Sequence, residues 1–354
     1  MLCKNCGKKN IGSEEYCFYC GEKLPPKESV SRVVSRFNPK APLCMGCLSE
    51  LPEAGLICKK CSFDNSKHQL APYLPYGTLL NLRYSVARDL STNGESTIYL
   101  GYDPKDGRSF FIREFLPIGL FDREENETRL MVDSSHRVDY TLALYDFINY
   151  FRLLRTLPDK SALVGIVDLF EANNTAYVIE KRDETVTLKE YVVRNGEPLD
   201  WNTVRQMFAS IISLVENMHK LKIGHYAISP LSIFLSSDGC VKLGRLATEN
   251  ERKRGTMLKS QLFTGCAAPE QYQEGAVLNE ATDVYGIAAS LFYALTGNLP
   301  PGAKDRVTDS KLLVKRATLN RIPDYVVSTL ADGLKYEQEI RIDTLGELRR
   351  RLAL

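Results

Sequence analysis

No stretch of the 354-residue sequence approaches about 18 uninterrupted apolar residues, so no transmembrane helix is expected. The opening Met1-Leu2-Cys3-Lys4-Asn5-Cys6 is followed by no apolar run, which argues against a signal peptide. Charge of one sign is also lacking. Lys and Arg number 46 against 44 Asp and Glu, a net +2 that gives no general pull toward nucleic acid or membrane. These absences leave a soluble cytoplasmic protein as the expectation. Cysteine is almost missing after residue 61, where only Cys240 and Cys266 occur, and isolated cysteines read as small buried hydrophobes. Hydrophobic residues at 44% and charged residues at 25% are ordinary for globular domains, and the length suits two or three of them.

The cysteines that are present form a repeat. Cys3, Cys6, Cys17 and Cys20 spell C-x2-C-x10-C-x2-C, and Cys44, Cys47, Cys58 and Cys61 spell it again 41 positions later. A C-x2-C turn points two thiolates at one metal, and two such turns complete a tetrahedral zinc site. Disulfides are the alternative, but adjacent C-x2-C pairs without a secretion signal favour metal. A unit of about 20 residues buries too little to fold alone, so the metal would fold it. The pattern resembles the double zinc ribbon at the start of many bacterial multidomain proteins. Two structural zinc ions are expected, with ribbons at 1–22 and 42–65. Linkers follow at 23–41, rich in proline, and at 66–75. Residues 1–73 carry 11 Lys/Arg against 7 Asp/Glu. Lys8, Lys9, Lys59 and Lys60 could contact nucleic-acid phosphates; a protein-docking module with a solvated face is the preferred reading.

The remainder carries a second pattern. Gly224-His225-Tyr226-Ala227-Ile228-Ser229-Pro230-Leu231-Ser232-Ile233-Phe234-Leu235 resembles the catalytic loop of a protein kinase, H-R-D-x-K-P-x-N-I-L-L. Phe110-Phe111-Ile112-Arg113-Glu114-Phe115-Leu116-Pro117 is similar to the third strand of bacterial serine/threonine kinases, which ends in K-E-[FY]-[FL]-P. Gly265 to Tyr272, reading GCAAPEQY, resembles the end of an activation segment, and Asp283-Val284-Tyr285-Gly286 opens a long apolar helix. The resemblance implies an α+β, two-lobed kinase-like fold over 76–354, with a small lobe at 76–181 and a large lobe at 182–354. It also implies structural roles: Glu270 paired with Arg341, and Asp283 tied to the backbone of the catalytic loop.

Against that family, the residues of the chemistry are changed. Ala227 stands for the Asp that accepts the substrate proton, Ser232 for the Asn that holds magnesium, and Arg245 for the Asp of D-F-G. Ser91, Asn93 and Ser96 stand for the three glycines of the phosphate loop, whose role is to let backbone N–H groups approach phosphate. Arg113 replaces the phosphate-gripping Lys. Tyr150 falls where the regulatory helix should offer that residue a Glu, and Glu95 is one candidate partner for it. Arg113 and Arg245 would repel if they met without an anion between them. Phe111 and Phe234 replace residues lying over and under adenine, and two facing rings would fill the slot.

These substitutions set the functional expectation: a catalytically inactive pseudokinase, not an enzyme, acting as a scaffold or regulator. No Mg-ATP is expected to bind. The expected partner is a protein, an active kinase or a client, with the ribbons as a second contact; the partly basic Thr248–Phe263 segment reads by default as an ordinary solvated loop, with a docking surface as the alternative. The alternatives are a nucleic-acid-associated ribbon protein, or an enzyme using the fold for other chemistry with His225 as acid–base group.

Overall fold

The computed structural model describes residues 42–51, 56–236, 239–306 and 321–354. The cysteine set Cys3, Cys6, Cys17 and Cys20 and the 23–41 linker lie outside the described residues. The chain divides into two compact units. The first holds residues up to Phe151 together with Ile166–Arg182, and the second holds Arg152–Gly165 and Asp183–Leu354.

The first unit is built on an antiparallel sheet in the order β1-β2-β3-β4-β6-β5. Its strands are β1 Leu79–Leu80, β2 Tyr84–Thr92, β3 Ser96–Tyr102, β4 Ser109–Phe115, β5 Ile166–Ala172 and β6 Thr175–Lys181. Alternation along β4 sends Phe110, Ile112 and Glu114 to one face and Phe111, Arg113 and Phe115 to the other. On the first face Phe110 and Ile112 join Leu74, Leu80, Tyr84, Val86, Tyr99, Tyr177 and Ile179 in a buried cluster. On the second face Phe115 packs on helix α1, Arg137–Thr156, with its ring 5.1 Å from Phe147 and 5.6 Å from Tyr140. Asn173 and Asn174 take φ of 55° and 61°, which closes the tight β5–β6 hairpin with matching twist.

The second unit is mainly helical: α2 Leu188–Asn195, α3 Trp201–Lys220, α4 Glu280–Thr296, α5 Ala303–Arg306, α6 Asp324–Gly333 and α7 Leu345–Arg351. A small sheet β7-β8-β9 joins Thr185–Thr187, Ile233–Ser236 and Val241–Leu243. Helix α3 starts at Asp200, whose side chain accepts from the Thr203 amide, and buries Val204, Phe208, Ile211, Ile212 and Val215 at helical spacing. Helix α4 starts at Asn279 and is buried from Ala281 through Thr296. It can pass close to the 224–235 loop because it carries Gly286; a Cβ there would lie 2.9 Å from the Ile228 carbonyl oxygen. Among the described residues no helix is long and apolar enough to cross a membrane.

Candidate functional site

Cys44, Cys47, Cys58 and Cys61 converge in the first unit, with all four sulfurs within 4.8 Å of one another. Cys44 and Cys61 are 3.6 Å apart, and Cys47 and Cys58 3.8 Å. Four thiolates about 2.3 Å from one tetrahedral ion would sit about 3.8 Å apart, so the set fits a metal. The residues after each C-x2-C, Leu48 and Ser62, turn the chain with φ of 62° and 59° and donate their amides to the carbonyls of Cys44 and Cys58. The Ser49 hydroxyl, then the Cys61 amide, lowers the Cys58 thiol to about 6, while Cys61 in the same cluster is pushed up to about 12, so the case for a metal rests on the sulfur geometry.

Arg113, on β4, is 2% exposed. Its Nε donates to Glu180 Oε1 at 2.7 Å and its Nη1 to Ser96 Oγ at 3.2 Å, and its guanidinium lies 5.7 Å from the Phe151 ring centroid. Glu180 was not singled out in the sequence. The signal was parity: Arg113 stands opposite Val178 on β6, so Glu180, two residues on, shares its face. Tyr150, at the expected helix-Glu position, is buried edge-on to Phe151, with ring centroids 5.4 Å apart.

Asn93 closes the loop between β2 and β3 on itself. Its Oδ1 accepts from the amides of Glu95 at 3.0 Å and Ser96 at 2.6 Å, and its own amide donates to the Ser96 carbonyl at 3.0 Å. Two N–H groups of the loop are therefore already used by a side chain of the same loop. Ser91 lies in the ladder opposite Ile98.

In the second unit Asp283 holds the 224–235 loop. Its carboxylate accepts from the amides of His225 at 2.9 Å and Tyr226 at 2.6 Å, and meets His219 Nε2 at 2.8 Å. His225 is fully buried; Nε2 donates to the Gly244 carbonyl at 2.9 Å and Nδ1 accepts from the Ala227 amide at 3.3 Å. Both ring nitrogens are satisfied only in the neutral form. Ser232 closes a turn, its hydroxyl accepting from the Ser229 amide at 2.8 Å and donating to the Ser229 carbonyl at 3.0 Å. Arg245, with φ of 55°, donates from Nε to the Leu231 carbonyl at 2.8 Å and lies 5.9 Å from the Phe263 ring centroid.

Burial first, then the charge of Arg252, pushes the His225 pKa from 6.5 down to about 4. Burial pulls His219 down too, but the Asp283 carboxylate outweighs it and the net direction is up. A histidine lowered on folding costs stability as the unfolded chain takes up protons first, between pH 6.5 and about 4. His219 acts in the opposite sense: its contribution is complete below its unfolded pKa and is lost as pH rises through its folded one. Acidification from pH 6.5 to about 4 should therefore cost about 3 kcal/mol through His225. Urea unfolding of His225→Gln should show a correspondingly shallower acid slope; an unchanged slope would remove His225 from this role.

The Thr248–Phe263 segment is not simply a solvated basic loop. Arg252 is 1% exposed, pairs with Glu251 at 2.7 Å and donates to the Arg245 carbonyl, while Gln271 Nε2 bonds the carbonyls of Tyr226 and Arg252 at 2.7 and 2.6 Å. Arg341 meets Glu270 through Nη1 at 2.8 Å and Nη2 at 3.0 Å. Phe111 on β4 and Phe234 on β8 are each half-buried, one in each unit.

The protein kinase domain family model matches residues 137–340, more than half of the chain. Serine/threonine-protein kinase PrkC of Bacillus subtilis is 26% identical over 232 residues, covering 63% of this chain and 32% of PrkC. Serine/threonine-protein kinase PknL of Mycobacterium tuberculosis is 25% identical over 228 residues, covering 63% of this chain and 51% of PknL. The chain thus spans about a third to a half of the length of these relatives. Among solved structures, the PpkA-294 apo form aligns over 80% of this chain and all of its own, with a TM-score of 0.61 and 22% identity. The fold is accordingly the kinase-like one that the motifs implied. The expectation that the chain is not an enzyme is corrected: relatives named as serine/threonine-protein kinases and a family match over 137–340 point to an enzyme. That expectation weighed a few local positions, whereas the match runs through the helices and loops that frame them. On these matches the chain belongs to the protein kinase domain family.

Proposed function

We propose that this member of the protein kinase family is a cytoplasmic regulator that works by holding a protein partner, with no requirement for Mg-ATP in that role. Zinc at Cys44, Cys47, Cys58 and Cys61, and by the same spacing at Cys3, Cys6, Cys17 and Cys20, completes the reading. The observation that carries it is the self-closed loop of the first unit. Amides that a phosphate would need are taken by the Asn93 side chain, and Arg113 is neutralised by Glu180. Support also comes from the second unit. Ala227 and Ser232 offer neither carboxylate nor amide, and Arg245 brings positive charge where a magnesium ligand would stand.

A second reading, phosphoryl transfer by the chain itself, is favoured by the names of its relatives. One experiment separates the two. The full chain is used for affinity capture in its native host, and the same preparation is titrated with Mg-ATP in a thermal-shift assay. A stoichiometric protein partner with no Mg-ATP shift is the expected result. A micromolar shift together with phosphate transferred to the captured protein would establish the second reading instead.

A further inference from the structure

Strand β2 leads into the loop of Ser91 and Asn93, and its outer edge is only briefly covered by another strand. Strand β1 pairs Leu79 with Ser85 and Leu80 with Tyr84 and goes no further. An uncovered edge leaves backbone groups to be satisfied elsewhere. Beyond Val86, which donates to the Thr78 carbonyl, the acceptors come from outside the sheet: the Arg88 amide donates to the Met45 carbonyl at 3.1 Å, and the Asp89 amide to Gln69 Oε1 at 3.0 Å. The β2–β3 register breaks on either side of Asp89, between Val86 and Asp89 and again between Asp89 and Ser91. A bulge there turns successive amides outward and lets both find partners away from β3.

Met45 lies inside the first C-x2-C of the metal site. Its amide donates to Asn65 Oδ1 at 2.9 Å, and Asn65 Nδ2 in turn reaches Cys44 Sγ at 3.7 Å and the Phe63 carbonyl at 3.3 Å. The second C-x2-C makes its own contact through Phe63, which meets Tyr76 edge to face at 6.0 Å, one residue before the Gly77 amide that bonds the Val86 carbonyl. Phe63 also fills the space over Gly46, where a Cβ would come within 2.5 Å of it. One half of the cysteine site therefore bonds β2 directly, and the other packs on the turn that bonds β2 at Val86. A unit this small buries little core of its own, so the ion would add to Phe63 and Asn65 in holding the two halves in register.

We infer that metal bound by Cys44, Cys47, Cys58 and Cys61 braces the open edge of β2, so that loading of this site sets the mobility of the strand feeding the Ser91–Ser96 loop. The inference rests on the metal reading above and is independent of which partner the chain holds.

The test is amide exchange followed by mass spectrometry on the full chain, with metal content measured on the same samples. Cys58→Ser should release one metal ion and speed exchange across Val86–Ser91 by about tenfold or more, while peptides from α4 keep their protection. Cys3→Ser, a change in the other C-x2-C repeat, should leave Val86–Ser91 unchanged. Phe63→Ala keeps all four ligands and should retain metal while loosening the same peptides. Loss of metal with β2 protection intact would overturn the brace. Equal loss of protection in β2 and α4 would also overturn it, in favour of metal-dependent folding of the whole chain. A preparation that holds no metal at this site would remove the metal reading itself.

Discussion

Arg341→Met is expected to destabilise the second unit by about 3–5 kcal/mol, read as a drop in the urea midpoint at unchanged slope. The guanidinium is fully buried and grips Glu270 with two hydrogen bonds, at 2.8 and 3.0 Å. Its remaining donors reach the carbonyls of Ala281, Lys335 and Tyr336 at 3.0, 3.0 and 3.1 Å. It also sits 5.0 Å from the Tyr285 ring centroid. One side chain thus ties together the Pro269–Tyr272 turn, the start of α4 and the segment before α7. Its removal leaves the Glu270 carboxylate facing the Thr282 hydroxyl, which donates at 2.8 Å, in a site that is 6% exposed. The uncompensated charge is the main cost, more than the lost attraction. Glu270→Gln in the Arg341→Met background should therefore restore part of the stability. If the double variant is no better than the single, the cost lies in the lost carbonyl contacts instead.

Much of the architecture was legible because its signals are local. The apolar period from Trp201 to Leu221 became α3, and the run after Asp283 became α4. Asn173-Asn174 marked the hairpin between β5 and β6, and both adopt the left-handed conformation such turns need. Helix α1 starts at Arg137, although its closely spaced apolar residues begin only near Ala143. Its first turn is polar or exposed, with Val138 56% exposed, so burial gave no signal there. The spacing of Cys44, Cys47, Cys58 and Cys61 identified a cluster because ligand geometry fixes short intervals. Partnerships made across the sheet were not legible. Glu180 reaches Arg113 from a strand 67 positions away, and only the strand register shows that they share a face. Arg252 looked like part of a basic surface, yet the Arg245 carbonyl and Glu251 draw it inside. The contact between Met45 and Arg88 is backbone to backbone and leaves no trace in side-chain identity.

The opposite face of the same sheet gives the companion prediction. Arg123→Met should cost the first unit about 3–5 kcal/mol, because it strands a carboxylate that no water reaches. Glu114 and Arg123 have side chains with 0% exposure, and Arg123 Nη2 meets Glu114 Oε1 at 2.5 Å. Tyr99 and Tyr177 donate to the two oxygens of the same carboxylate at 2.7 and 2.8 Å, and the Tyr99 hydroxyl also accepts the Leu74 amide at 3.3 Å. Burial first, then the Glu114 charge, drives both phenols well above their ordinary range, so they stay protonated donors. Arg123 Nη1 extends the network to the Pro72 carbonyl at 2.7 Å, which fastens the turn that leads in from the cysteine site. Two neutral donors cannot replace a cation at that depth, so the uncompensated Glu114 charge is the main cost of the variant. Glu114→Gln added to Arg123→Met removes that charge and should recover part of the loss, read as a rise in the urea midpoint. A double variant no more stable than the single would mean that the Arg123 contribution is packing and its carbonyl contact alone.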